Sequence, residues 1–218
     1  MSNNMNKKTA FEIYKILEKK YPRVTTALVY AEPLQLLVAT ILSAQCTDKR
    51  VNIVTESIFK KYKSVKKYAK ADIAEFEREI KSTGFYKNKA KNIISSANMI
   101  MDNFNGKVPD TMEDLVKLPG VARKTANIVL VHGFGKIEGI AVDTHVRRVS
   151  ARLGFTKNTD PVKIEKDLIV LFDKEKWGKL SNLLIQHGRK TCSSRTPNCP
   201  NCAVKNLCPS VEEFDNNK

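Results

Sequence analysis

The sequence predicts an all-α protein. Three observations carry this: apolar residues recur at helical spacing along almost the whole chain, Pro, Gly and Asp punctuate those stretches, and only RVTTALVY (23–30) has a strand-forming composition. Phe11, Tyr14 and Leu17 define a first helix, closed by Pro22. Residues 33–44, PLQLLVATILSA, open with proline and are apolar on nearly every side, the pattern of a central buried helix. Val51, Val54 and Ile58 mark the next, and Ile73, Phe76 and Ile80 a fourth. Ala90, Ile93, Ala97 and Met101 mark a fifth, which Gly106 ends. Thr111 with Asp114 resembles a capping box, opening a helix that ends at Lys117. In LPGVARKTANIVL (118–130) a Leu-Pro-Gly turn enters a helix that GFGK stops near His132. Val146, Val149 and Leu153 continue the pattern. Asp160-Pro161 starts a helix carrying Ile164, Leu168 and Leu171. A last long helix carries Trp177, Leu180 and Leu184 and ends at Gly188, after which VEEFDNNK is expected to fray.

The chain has 218 residues, 42% hydrophobic and 28% charged, which is a globular composition. No apolar run approaches the roughly 20 residues that span a bilayer. The polar start MSNNMNKK lacks the apolar core of a signal peptide, so a cytoplasmic protein with no membrane partner is expected. Lys and Arg total 38 against 23 Asp and Glu, a formal net charge of +15. Such an excess attracts polyanions, nucleic acid above all. The plainer reading is a solvated lysine-rich surface, since the lysines are spread throughout.

Cysteine usage points to a metal. Of five cysteines, Cys192, Cys199, Cys202 and Cys208 form the pattern C-x6-C-x2-C-x5-C, whereas Cys46 stands apart and reads as a small buried hydrophobe. A four-thiolate site follows from the cluster, and thiolate count alone leaves zinc and a [4Fe–4S] cluster both open. A single C-x2-C pair, where zinc fingers usually show two, tilts the choice toward iron–sulfur. With no recognisable electron-transfer domain, the site is expected to staple the C-terminal segment.

The LPGVAR turn offers the other site. Gly120, Val121 and Ala122 would present successive amides at a helix start, a ready anion site suited to a backbone phosphate. A plain packing corner between two helices explains the same residues. Arg123 and Lys124 follow at the first helical positions, where cations are disfavoured.

Four stretches in order resemble the endonuclease III family of DNA glycosylases. LPGVARKTANIVL is similar to its helix-hairpin-helix, AVDTHVRRVSARLG (141–154) to the segment that follows, LSAQCTDKRVN (42–52) to an early helix, and the cysteine spacing to its iron–sulfur pattern. The likeness runs from about residue 10 to 210. It implies two helical lobes, residues 24–138 with the hairpin, and a cluster lobe from 1–23 and 139–218. DNA would lie in the groove between them, with Lys124 and Asp143 facing each other.

The resemblance also implies a bifunctional DNA glycosylase and AP lyase, a monomer acting on duplex DNA with oxidised pyrimidines or abasic sites. Lys124 falls on the family's catalytic lysine and Asp143 on its catalytic carboxylate. A nucleophilic amine must be neutral, a form favoured by desolvation and by the positive potential of a helix N-terminus. From the residues alone, Lys124 is equally a phosphate contact, Asp143 an N-cap and His145 structural. Gln45 would fill the space left by an extruded base and Phe85 would wedge beside the opposite one; otherwise they are a helix-end glutamine and a core aromatic. Arg189, Lys190 and Arg195 are candidate phosphate contacts. Two departures stand out. The family hairpin often reads Gly-Val-Gly where this chain has Ala122, and its wedge is often leucine where this chain has Phe85. Monofunctional relatives that act on mismatched adenine or thymine generally lack the lysine. A non-catalytic, metal-stapled DNA-binding module is the alternative of a different class.

Overall fold

The computed structural model describes residues 5–215, and among them every regular element is helical. In chain order these are α1 (Lys7–Lys20), α2 (Pro33–Leu42), α3 (Asp48–Lys61), α4 (Val65–Ala69), α5 (Ile73–Ile80), α6 (Tyr86–Asn103), α7 (Met112–Leu115), α8 (Arg123–Phe134), α9 (Thr144–Arg152), α10 (Pro161–Leu171), α11 (Lys174–Lys190) and α12 (Val211–Asp215). Single 3₁₀ turns cover Lys81–Thr83 and Lys205–Leu207. Short polar side chains define most starts: Asn6, Thr47, Ser64, Asp72, Thr111, Asp143 and Asp160 each accept an amide of the first turn. Pro33 and Pro161 open α2 and α10, where a missing N–H costs nothing.

Two compact units result: Thr26–Glu138, and the described residues of Met1–Thr25 with Gly139–Lys218. In the contiguous unit, α2 is apolar all round and wholly buried from Leu36 to Leu42, packing on α8. α4 and α5 pack on α6, where Tyr62, Tyr68 and Phe76 form an edge-and-stack aromatic cluster. In the other unit α9 lies on α11, and α1 joins α11 through Ile13, Tyr14 and Leu17.

Several local expectations change. RVTTALVY forms no strand; side chains pair its backbone instead, the Asn52 amide accepting from Val29 N at 3.0 Å and donating to Ala27 O at 2.8 Å, and Thr26 Oγ1 accepting from Leu28 N at 3.3 Å. β-branched composition without a partner strand yields an extended loop. Ile100, not Met101, fills the core at the end of α6. The helix opened by Thr111 stops at Leu115, and α8 runs on to Phe134, where Gly135 closes it in the left-handed region. Gly188 lies inside α11, at a point where a Cβ would come within 3.1 Å of Arg148 and Val149 on α9. Residues 211–215 are helical rather than frayed, and 216–218 lie outside the described residues. Cys46 is half-buried at the edge of the core.

The α7–α8 hairpin is set from below by α6. Leu118 N donates to Leu115 O at 3.1 Å and Val121 N to Leu118 O at 3.0 Å, which closes the turn. Ser96 Oγ on α6 donates to Pro119 O at 2.8 Å. Gly120 takes φ +78°, and a Cβ there would meet the Asn92 side chain at 2.8–2.9 Å. Both strain and collision therefore demand glycine. Gly120→Ala should cost about 2 kcal/mol or more of stability, read from urea unfolding. Tyr68 should behave oppositely. It is fully buried and its hydroxyl has no hydrogen-bond partner among the described residues, so Tyr68→Phe should raise stability by about 1 kcal/mol in the same assay.

Candidate nucleic-acid interface and cysteine centre

The turn gathers Gly120, Val121, Ala122, Arg123 and Lys124 at the N-terminus of α8. The expected row of three amides is reduced to two. Val121 N–H already serves Leu118 O and its side chain is buried, so Val121 packs the turn rather than facing a phosphate. Gly120 and Ala122 amides form no hydrogen bond among the described residues. Ala122 sits at φ −83° and ψ 167°, extended backbone that any residue adopts, so its methyl group in place of glycine carries no backbone strain. Arg123 and Lys124 occupy the first two helical positions and are both exposed.

Gln45 and Phe85 occupy two tips of the same unit. Gln45 is exposed at φ 52° in the turn after α2, where Cys46 N donates to Ser43 O at 3.1 Å. Phe85 is 64% exposed at φ 49° and ψ 27°, just before α6, so it is not a core aromatic. A non-glycine residue with positive φ is uncommon, and a bulky one held there points its side chain where the regular backbone would not.

Asp143 belongs to the unit formed from both ends. It caps α9, its Oδ1 accepting Val146 N at 2.7 Å. The helix N-terminus favours its negative charge. His145 pairs with Arg148 Nη2 at 3.2 Å, a structural contact.

The four cysteines line one cavity together with Arg152, Leu153, His187, Pro197 and Phe214. The loop is held by α9: Arg148 donates to Cys192 O at 3.1 Å and Gly188 O at 3.0 Å, and Arg152 donates to Ser193 O at 2.6 Å, Ser194 O at 2.8 Å and Cys192 Sγ at 3.4 Å. The Arg152 guanidinium also stacks on Phe214, 4.3 Å from its ring centroid. Among the described residues, no three His, Cys, Asp or Glu side chains converge as ligands of a single ion; the thiols ring a space instead. An all-sulfur donor set around a cavity, with an arginine donating to one sulfur, fits a multi-iron thiolate group. Burial pushes the Cys202 thiol up and the Cys208 thiol to about 11, so a metal is needed to hold both as thiolates near neutral pH. Burial, reinforced by Lys20, brings His187 down to about 4; this neutral ring lies between Tyr21 Oη at 3.4 Å and Cys202 Sγ at 3.7 Å. Arg189 lies in the last turn of α11 and Arg195 in the cysteine loop, both exposed.

Sequence reasoning passed over the supports of these sites. Arg148 and Arg152 share a face of α9 with Ser150 and Val149 between them, and only their spacing to the cysteine loop in three dimensions gives them a role. Lys89, Asn92 and Ser96 fall on one face of α6 at i, i+3 and i+7, and polar residues at that spacing read as a solvated face.

Known proteins place these features in a family. A family model described as HhH-GPD superfamily base excision DNA repair protein matches residues 38–174. Endonuclease III of Synechocystis sp. is 52% identical over 206 residues, covering 94% of both chains. A non-covalent endonuclease III–DNA complex superposes with a TM-score of 0.93 at 40% identity, covering 97% of this chain and 99% of that one. A trapped covalent endonuclease III–DNA intermediate, in an estranged-adenine complex, gives 0.91 at 40% identity over 96% and 98%. With the hairpin, the capped Asp143 helix and the four-cysteine cavity on one chain, this protein belongs to the endonuclease III family, within the HhH-GPD superfamily of base excision DNA repair proteins.

Proposed function

We propose that the protein is a bifunctional DNA glycosylase and AP lyase that removes oxidised pyrimidines from duplex DNA. The observation that carries this reading is Lys124, an exposed residue that follows the open amides of Ala122 and Gly120 by two and four positions at the start of α8. The amides and the helix dipole hold a backbone phosphate, and that contact delivers the adjoining sugar to the amine. DNA that covers the amine excludes water from it. Gln45 and Phe85 enter the duplex as the damaged nucleotide swings out, and Arg123, Arg189 and Arg195 contact phosphates along the strand.

The chemistry then follows from an amine and a carboxylate. Lys124 Nζ attacks C1′, and the base departs with the electrons of the glycosidic bond and takes up a proton. Asp143 balances the positive charge that develops on the sugar, its second carboxylate oxygen being the one its capping bond leaves open. Ring opening leaves C1′ and Nζ joined as a protonated imine. That imine acidifies the C2′ proton; its removal expels the 3′ phosphate by β-elimination, cutting the strand 3′ to the site. Cys192, Cys199, Cys202 and Cys208 would hold a [4Fe–4S] cluster, and its iron–thiolate bonds would close the C-terminal loop. Protein with iron and inorganic sulfide in equal amounts and broad visible absorption is expected; colourless, zinc-loaded protein would overturn the cluster.

Borohydride on abasic duplex DNA should trap a covalent adduct with the intact chain and none with Lys124→Ala. That variant should be at least as stable as the parent, since it removes a cation from a helix N-terminus. An adduct persisting in Lys124→Ala would assign the nucleophile elsewhere. Asp143→Asn separates capping from chemistry. Asparagine caps as well as aspartate, so stability and DNA binding should hold while single-turnover base release falls about a hundredfold or more. An unchanged rate would leave Asp143 as a cap only.

A further inference from the structure

Lys89 lies on the second turn of α6 with only 4% of its surface exposed. Its ammonium donates to two backbone carbonyls, Leu42 O at 2.7 Å and Thr83 O at 2.8 Å. Leu42 is the last residue of α2 and Thr83 the last of the 3₁₀ turn after α5. Helix ends carry unpaired carbonyls and partial negative charge, so a cation is well matched to both. The chain runs three residues past Leu42 to reach Gln45 and two past Thr83 to reach Phe85, both in the left-handed region. One nitrogen therefore joins the two segments that present these residues.

An ammonium is a costly filler for a packed interior. Burial pushes the Lys89 pKa down, with Cys46 acting weakly in the opposite sense. An apolar side chain of the same length fills the space without that desolvation, but leaves two carbonyls unpaired and the two turns untied. Gln45 and Phe85 both hold strained backbone conformations, which persist only where the surroundings over-determine them. The shared donor is such a constraint.

We propose that Lys89 is a positioning residue that couples the Gln45 and Phe85 tips into one rigid pair, so that the two enter the duplex together and govern base extrusion. This rests on the reading that those tips penetrate DNA. Lys89 touches neither the nucleophile nor the phosphate turn, so its influence falls on the step before attack by Lys124.

The test uses the full-length, cluster-loaded protein and two substrates with the same oxidised pyrimidine: one fully paired, one in a bulge where the base is already unstacked. A 2-aminopurine beside the lesion reports extrusion by fluorescence, and single-turnover base release reports chemistry. Lys89→Met removes the donors at similar volume, and Lys89→Gln returns an uncharged –NH2 able to donate to both carbonyls. For Lys89→Met, extrusion and base release on the paired duplex should both slow about tenfold, with the bulged substrate unaffected. Lys89→Gln should recover much of the loss. Equal slowing on both substrates would reduce Lys89 to a fold-stabilising role and overturn the proposal, as would no slowing on either. Gln45→Ala and Phe85→Ala are the parallel arm. If they slow extrusion while Lys89→Met does not, the coupling is wrong and the penetrating tips stand; if neither slows it, the reading of the tips falls as well.

Discussion

One face of α6 bears on every part of the contiguous unit that meets DNA in the proposed reaction. Lys89, Asn92 and Ser96 project from it in a row. Lys89 joins the ends of two helical segments, Asn92 occupies the space that only a glycine at position 120 leaves free, and Ser96 holds the Pro119 carbonyl. The adjoining face, Ala90, Ile93, Ala97 and Ile100, is buried in the core. A helix fixed by apolar packing on one side thus sets three backbone segments on the other. The order of dependence runs from core, to polar row, to loop conformation.

The same arrangement explains how Gly120, Gln45 and Phe85 all hold positive φ within one small unit. Each lies one to three residues from a carbonyl or side chain held by α6. Ordering a loop costs backbone entropy that exposed contacts rarely offset, and side chains anchored in a packed core carry that ordering into the loop. Sites built this way keep their geometry before any partner arrives.

Much of this was legible in the sequence. Helical spacing identified most elements because their buried stripes are continuous, as at Val51, Val54 and Ile58, or Val146, Val149 and Leu153. Cysteine spacing picked out the four thiols that line one cavity, and the glycine of the hairpin marked its turn. What escaped had a physical reason in each case. Ile100 and Met101 are adjacent and both apolar, so periodicity alone cannot choose which faces inward. Gly188 reads as a stop signal although close approach of α9 keeps it inside a helix. The amide of Val121 looked available because turn closure by Leu118 is a three-dimensional fact. The row on α6 was hidden by its own chemistry: Lys, Asn and Ser signal solvent until their partners are known.

The second unit has a different kind of dependence, in time rather than space. Its α1 packs on α11, and Tyr21 reaches His187 and Thr191 beside the cysteine loop, across more than 160 positions of chain. During synthesis, α1 is made long before two of the surfaces it rests on, Phe172 and α11. The contiguous unit between them can collapse early and bring the two flanks nearer, shortening the effective loop that their union must close. α9 then faces the same wait at its far end, since Arg148 and Arg152 find their acceptors only when the last cysteines have been made. The capping aspartate at the head of α9 therefore sits on a helix whose final seating is among the last events of maturation. In the order of synthesis, the hairpin with Lys124 precedes the partners that seat that carboxylate's helix.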